Sequence, residues 1–224
     1  VKIRSASELE DLLDKDLAWR KREFTTIKFL IADARNHEKI VLIRAGVALM
    51  YSHWEGHVKK ASQGYLAYLN SQAHNYCDMK DNFTQLSLGE KFSQGFSIRR
   101  YESQEKIFKY LTGELKEAFK LDEKAAIDTE SNLKYPVLLN IMNQLGLDVS
   151  QFELRENFIN NTLLENRNKI AHGERLNDQV IQGAYNSLEK ELLDLIVLYQ
   201  NLIRNAVTEK SYLKVNSYEN VTAS

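Results

Sequence analysis

Nine glycines and one proline in 224 residues constrain this chain more than any other feature. Typical usage is about 7% and 5%, and strand-rich chains need both residues at turns with special backbone angles. A chain this poor in them is built mostly of long helices. With 43% hydrophobic and 27% charged residues it has ample material for a core, and the length suits one large domain or two small ones. No apolar run approaches the roughly 18 residues of a membrane span. The opening VKIRSASELE has no apolar signal-like stretch. Cys77, the single cysteine, has no internal disulfide partner, so a reducing, cytoplasmic setting is expected. The net charge of −1 argues against a general polycation for nucleic acid and leaves room only for local basic patches.

Ser7 followed by Glu10 reads as a capping box and predicts a helix over about 7–35, with Leu9, Leu13, Phe24, Ile27 and Ile31 on one stripe. Its Trp19-Arg20-Lys21-Arg22 run reads most simply as a solvated face with packed stems. A second helix over about 38–72 is apolar on most sides and therefore central, with Ile43, Val47, Met50, Trp54, Val58, Ala61 and Tyr65 on its main face. A polar stripe of Arg44, Tyr51, Glu55 and Lys59 runs along it. From 74 to 100 the pattern weakens, helical spacing returns at Ile107, Phe108, Leu111 and Leu115, and 120–134 reads as a polar connection. Pro136 suits a helix N-terminus before VLLNIMNQLGL, which stops near Gly146. Helices follow over about 153–173, with Gly173 at the C-cap, and 177–207, whose Tyr185, Leu188, Leu192, Leu195, Tyr199, Leu202 and Ala206 form a bundle seam. This organisation reads as one domain over 1–210 with an irregular insertion at about 74–134, and a flexible tail at 211–224.

Chemistry-bearing patterns are few. There is no glycine-rich phosphate loop. His53 and His57 stand one helical turn apart, but HWEGH is not the HExxH pattern and a third ligand is not evident, so neither metal nor cofactor is expected. The remaining pattern is Arg167-Asn168-Lys169-Ile170-Ala171-His172-Gly173. On a helical wheel Arg167 lies at the edge of the core line set by Ile159, Leu163 and Ile170. His172 points about 140° further round, with Asn168 one turn behind it. The histidine falls in the last turn, where helix carbonyls favour a charged ring. A titratable base, a permanent cation and an amide at one helix end can cleave RNA: the imidazole moves a proton and the guanidinium stabilises the charged phosphorane. On spacing alone, a structural helix cap explains the pattern equally well.

RNKIAHG, on the penultimate long helix of an all-α chain, resembles the R-x4-6-H motif of the HEPN superfamily. LIRAGVALMYSHWEGHVKKA resembles the Arg…Trp-Glu helix of its bacterial nuclease branch, the RiboL-PSP and MAE-type proteins, and DLAWRKREF is similar to that branch as well. The resemblance spans about residues 8–205. It implies an up-and-down helical bundle, and a metal-independent endoribonuclease whose site forms where two protomers pair. Arg167 and His172 match the motif and Asn168 its polar position. Glu55 matches the acidic residue of the Trp-Glu helix; it either supports catalysis by orienting His172 or Arg167, or pairs with Arg44 as scaffold. Arg20, Arg22, Lys59, Lys60, Arg99 and Arg100 are candidate RNA contacts. The expected setting is a bacterial toxin–antitoxin or anti-phage defence system, with RNA as substrate (tRNA among the candidates), a second copy as partner, and an antitoxin or defence protein as a further one. HEPN toxins silenced by a nucleotidyltransferase antitoxin often carry an AMP-accepting tyrosine two residues past the motif histidine; here that position is Glu174, which argues against control by that modification. The alternative is a non-catalytic binding or dimerisation module of the same fold.

Overall fold

The computed structural model describes residues 2–92 and 97–214. Eight α-helices follow in order: α1 (Ala6–Asp33), α2 (Asn36–Gln72), α3 (Asp81–Lys91), α4 (Tyr101–Thr112), α5 (Glu123–Ala126), α6 (Tyr135–Gln144), α7 (Asn166–Ala171) and α8 (Asp178–Thr208). Among the described residues no strand forms beyond two isolated bridges, Asn75–Ala118 and Met79–Leu213. No helix there is long and apolar enough to cross a membrane. The all-α reading holds.

α1 starts earlier than predicted. Two Ser-x-x-Glu frames overlap, and the chain uses the first: Ser5 Oγ accepts from Glu8 N at 3.2 Å, while Glu8 accepts from Arg4 N at 2.6 Å. α2 is the central helix, packed on α1, α8 and α7. Its predicted apolar face, from Ile43 to Tyr65, is buried throughout, and Trp54 is inserted between Phe152 and Tyr199 with ring centroids 6.4 and 6.2 Å away. At Gly46 of α2 a Cβ would come within 2.9 Å of the Tyr185 ring, so the bare backbone lets α8 approach closely there. Arg204 of α8 pairs with Asp14 of α1, and Lys28 of α1 with Glu189 of α8, so the two helices run antiparallel.

Three readings change. The stretch from 74 to 100 is more regular than expected, since α3 occupies much of it; residues 93–96 lie outside the described residues. Phe83 of α3 packs on Tyr65 of α2 and on Phe119, with ring centroids 6.5 and 5.7 Å apart, so this segment shares the main core. The tail does not begin at 211: Tyr212 is buried, and its carbonyl accepts from Lys80 N, while Lys214 N donates to Asp78. Residues 215–224 lie outside the described residues. Finally, the helix expected over 153–173 is three pieces: a 3-10 turn (Ser150–Arg155), a π-helical stretch (Phe158–Glu165) and α7. Asn166 spans the last junction, donating from Nδ2 to the carbonyls of Asn161 and Thr162 at 3.2 and 2.8 Å.

Candidate active site

The motif helix ends as its glycine predicts. Gly173 adopts φ +73°, Glu174 N donates to Lys169 O at 2.9 Å, and Gly173 N donates to Ile170 O at 3.1 Å. These paired bonds are the Schellman closure, which only a residue tolerant of the left-handed region completes without strain. The stop leaves His172 exposed at the helix end. Beside it lies a cavity of about 420 Å³, walled by Asn160, Leu164, Asn168, Lys169 and His172 and, across from them, by Lys134 and Pro136. Tyr135 N donates to Asn160 Oδ1 at 2.9 Å, fastening the start of α6 to the π-helical stretch and fixing both walls.

Arg167 is half-buried and stands behind that wall. Its Nη1 donates to Asn168 Oδ1 at 2.8 Å and to Asn132 Oδ1 at 2.7 Å, and its Cζ lies 4.6 Å from the centroid of the Tyr51 ring. Nε and Nη2 have no hydrogen-bond partner among the described residues. Tyr51 is 1% exposed, and its hydroxyl accepts from Leu133 N at 2.8 Å. Burial pushes the phenol up to about 12, with the Glu55 carboxylate adding to the rise and the Leu133 hydrogen bond and Arg167 charge opposing it. Tyr51 is therefore neutral near pH 7 and serves as a surface and an acceptor, not a proton carrier. Glu55, one turn along α2, accepts from the buried Thr129 hydroxyl at 2.9 Å. No ion pair joins it to Arg44 and no hydrogen bond to Arg167 or His172 among the described residues, so its partner belongs to neither expected role.

The structure thus brings Asn168 and His172 to one cavity and Arg167 one layer behind, with Asn168 touching both. The other cations go elsewhere. Arg20 is 3% exposed: Nε and Nη2 donate to Asp16 at 2.7 and 3.1 Å, and Nη1 donates to the His53 carbonyl at 2.7 Å. A guanidinium so enclosed does not reach RNA, which corrects that expectation. The reason is that Asp16, one turn earlier on α1, faces inward. Lys60 also reaches Asp16, at 3.2 Å, and with Lys59 lines a separate cavity between α1, α2 and α5. Arg22 is exposed on α1, and Arg99 and Arg100 are exposed ahead of α4. None of the six lines the cavity at His172. His53 and His57 both turn toward α1, with His57 Nδ1 2.8 Å from Asp16 and His53 Nε2 2.9 Å from Glu23. Among the described residues no group of three or more His, Cys, Asp or Glu side chains is arranged to hold a metal.

Sequence reasoning missed Asn132, Thr129 and Lys134, all in the supposed polar connection before α6. The available signal was weak: Ile127, Thr129 and Leu133 are the buried residues of an irregular segment, with Glu130 in the left-handed region, and they show no helical spacing. Lys134 has no ion-pair partner among the described residues and lines the same cavity as His172, where the other lysine, Lys169, is paired with Glu165.

Comparisons with curated proteins and with solved structures give no match. The family model for the RiboL-PSP-HEPN domain matches residues 15–205, which takes in most of α1 through most of α8 and both the Trp54-Glu55 helix and the Arg167–His172 motif. The chain belongs to the RiboL-PSP-HEPN family.

Proposed function

We propose that this protein is a metal-independent endoribonuclease. The observation that carries the reading is the cavity at the end of α7, where an exposed imidazole, the Asn168 amide and the Lys134 ammonium converge in front of a fixed guanidinium. Family membership supports an RNA-related role, and the base and cations of the site suit cleavage by the RNA's own 2′-hydroxyl. The 2′-oxygen attacks the adjacent phosphorus, the 5′-oxygen leaves, and the products are a 2′,3′-cyclic phosphate and a 5′-hydroxyl. One imidazole accepts the 2′-proton and another gives a proton to the leaving oxygen, while Arg167 and Lys134 offset the charge on the phosphorane. Two imidazoles come from an isologous dimer that sets the His172 face on its own copy, so that two Arg–His pairs line one cleft. The exposure of His172 and its place on the cavity wall support that arrangement. We further propose a toxin or effector role in a defence or toxin–antitoxin system; Glu174 favours an inhibitor that acts by binding.

A second reading has one observation in its favour. Arg167 is bonded to Asn132 and Asn168 and does not itself line the cavity, which suits a structural arginine in a non-catalytic dimerisation or binding module. Incubating the protein with total tRNA in EDTA separates the two. Cleavage that His172→Ala abolishes supports the nuclease, and dimerisation with no cleavage supports the module.

A further inference from the structure

Residues 127–133 cross α2 next to the site and are fastened there by three bonds made through side chains. The Thr129 hydroxyl donates to Glu55 at 2.9 Å, Leu133 N donates to the Tyr51 hydroxyl at 2.8 Å, and Arg167 Nη1 donates to Asn132 Oδ1 at 2.7 Å. These bonds draw together α2, the strap and α7, which are 35 residues or more apart in sequence. Their common product is the fixed position of one guanidinium. The Tyr51 ring covers one face at 4.6 Å, and the amides of Asn132 and Asn168 take both protons of Nη1. What remains is the Nε–Nη2 edge, the parallel pair of donors with which arginine grips a phosphate.

The geometry points to Asn132 and Tyr51 as positioning residues for Arg167. They touch no substrate; they hold the guanidinium in one rotamer, so that its unbonded edge is presented without a search through the side chain's torsions. This assignment rests on the ribonuclease reading for its consequence, but the ordering of Arg167 is a property of the free protein. A flexible arginine would still bind phosphate yet seldom in the reactive arrangement, so loosening it lowers kcat more than it raises KM.

The test uses the whole protein and two readouts. The Nε–Hε resonance of Arg167, followed by ¹⁵N NMR relaxation without RNA, reports the ordering directly. Single-turnover and steady-state cleavage of an RNA oligonucleotide report the consequence. Asn132→Ala should make the Arg167 resonance mobile and lower kcat about 10- to 100-fold, with KM changed about twofold or less. Asn132→Asp keeps the acceptor and should restore the ordering, while kcat stays below wild type because the added charge opposes phosphate. Tyr51→Phe keeps the ring under the guanidinium and should retain the ordering, though the unpaired Leu133 N–H lowers the melting temperature. Arg167 ordering unchanged in Asn132→Ala, or cleavage equal to or faster than wild type, would overturn the assignment. Loss of ordering in a protein that cleaves no RNA would leave the positioning intact and sink the ribonuclease reading alone.

Discussion

On its α1 side, α2 closes over Asp16, Arg20, His53 and His57; on its α7 side it offers Tyr51 and Glu55 to the neighbourhood of Arg167, Asn168 and His172. Both places combine an arginine, a histidine and a carboxylate. In the first, Arg20 is 3% and His57 0% exposed, and Asp16 accepts from Arg20 and meets His57 and Lys60. In the second, the histidine is exposed beside a cavity and two guanidinium nitrogens have no partner among the described residues. The same residue types make a scaffold where Asp16, Arg20 and the two histidines are buried together, with His57 Nε2 left unpartnered in the interior, and a candidate for chemistry where donors and a base are left over beside an open cavity. Residue type decides less than access to the unspent hydrogen bonds.

One substitution on each side separates the two clusters. His172→Ala should lower RNA cleavage about 10²- to 10⁴-fold as expected for a lost general acid–base, with the melting temperature unchanged because the ring is exposed. Asp16→Ala should do the reverse. Removing one partner of a buried ion pair costs about 3–5 kcal/mol, here by leaving Arg20 buried without its carboxylate, and chemical denaturation should show it. If Asp16→Ala were stable and selectively inactive, or His172→Ala unfolded, the two clusters would have been assigned the wrong way round.

Acid should sharpen the contrast. Burial holds His57 below its ordinary 6.5, outweighing the Asp16 carboxylate beside it, with the Arg20 charge pushing the same way. The unfolded chain therefore takes up a proton first, so stability is intact above about pH 6.5 and falls as pH drops below it, by up to about 1.4 kcal/mol per pH unit. Asp16 adds to this only at stronger acid. Burial would raise its pKa, but hydrogen bonds from His57 and Arg20 outweigh burial and hold the carboxyl well below 3.8, so its contribution is lost as pH falls below that value. Melting temperatures measured from pH 7.5 to 5 should decline in wild type; a flat profile would mean that His57 protonates as readily folded as unfolded. The smallest effect is expected at Glu55→Gln. The amide oxygen still accepts from Thr129, so stability should fall by about 1 kcal/mol or less and cleavage should persist. A stable, inactive Glu55→Gln protein would place that carboxylate in the catalytic apparatus after all.

What was legible in the sequence follows the range of the interactions involved. The helices announce themselves through local periodicity and through caps such as Gly173, and the central place of α2 follows from its apolar residues on most sides. His172, Asn168 and Arg167 stood out because their spacing is local too. Arg20 was misread because Trp19-Arg20-Lys21-Arg22 looks solvated until Asp16 and His53 are seen to enclose it, and His53 is 33 residues away. Asn132 was invisible for the same reason: its partner Arg167 is 35 residues on, and the irregular segment carrying it shows no helical period. The π-helical stretch before α7 left no mark in the apolar pattern, since Ile159 and Leu163 suit an α-helix equally well.

The reaction proposed for the Arg167–His172 segment is cleavage of RNA through the substrate's own 2′-hydroxyl. The most direct measurement pairs an end-labelled single-stranded RNA with a DNA of the same sequence, both offered to the wild-type protein and to His172→Ala, with the termini of any products identified. The expected result is RNA fragments ending in 2′,3′-cyclic phosphate from the wild type, none from His172→Ala, and intact DNA throughout. DNA cut as readily as RNA, or undiminished cleavage by His172→Ala, would contradict it.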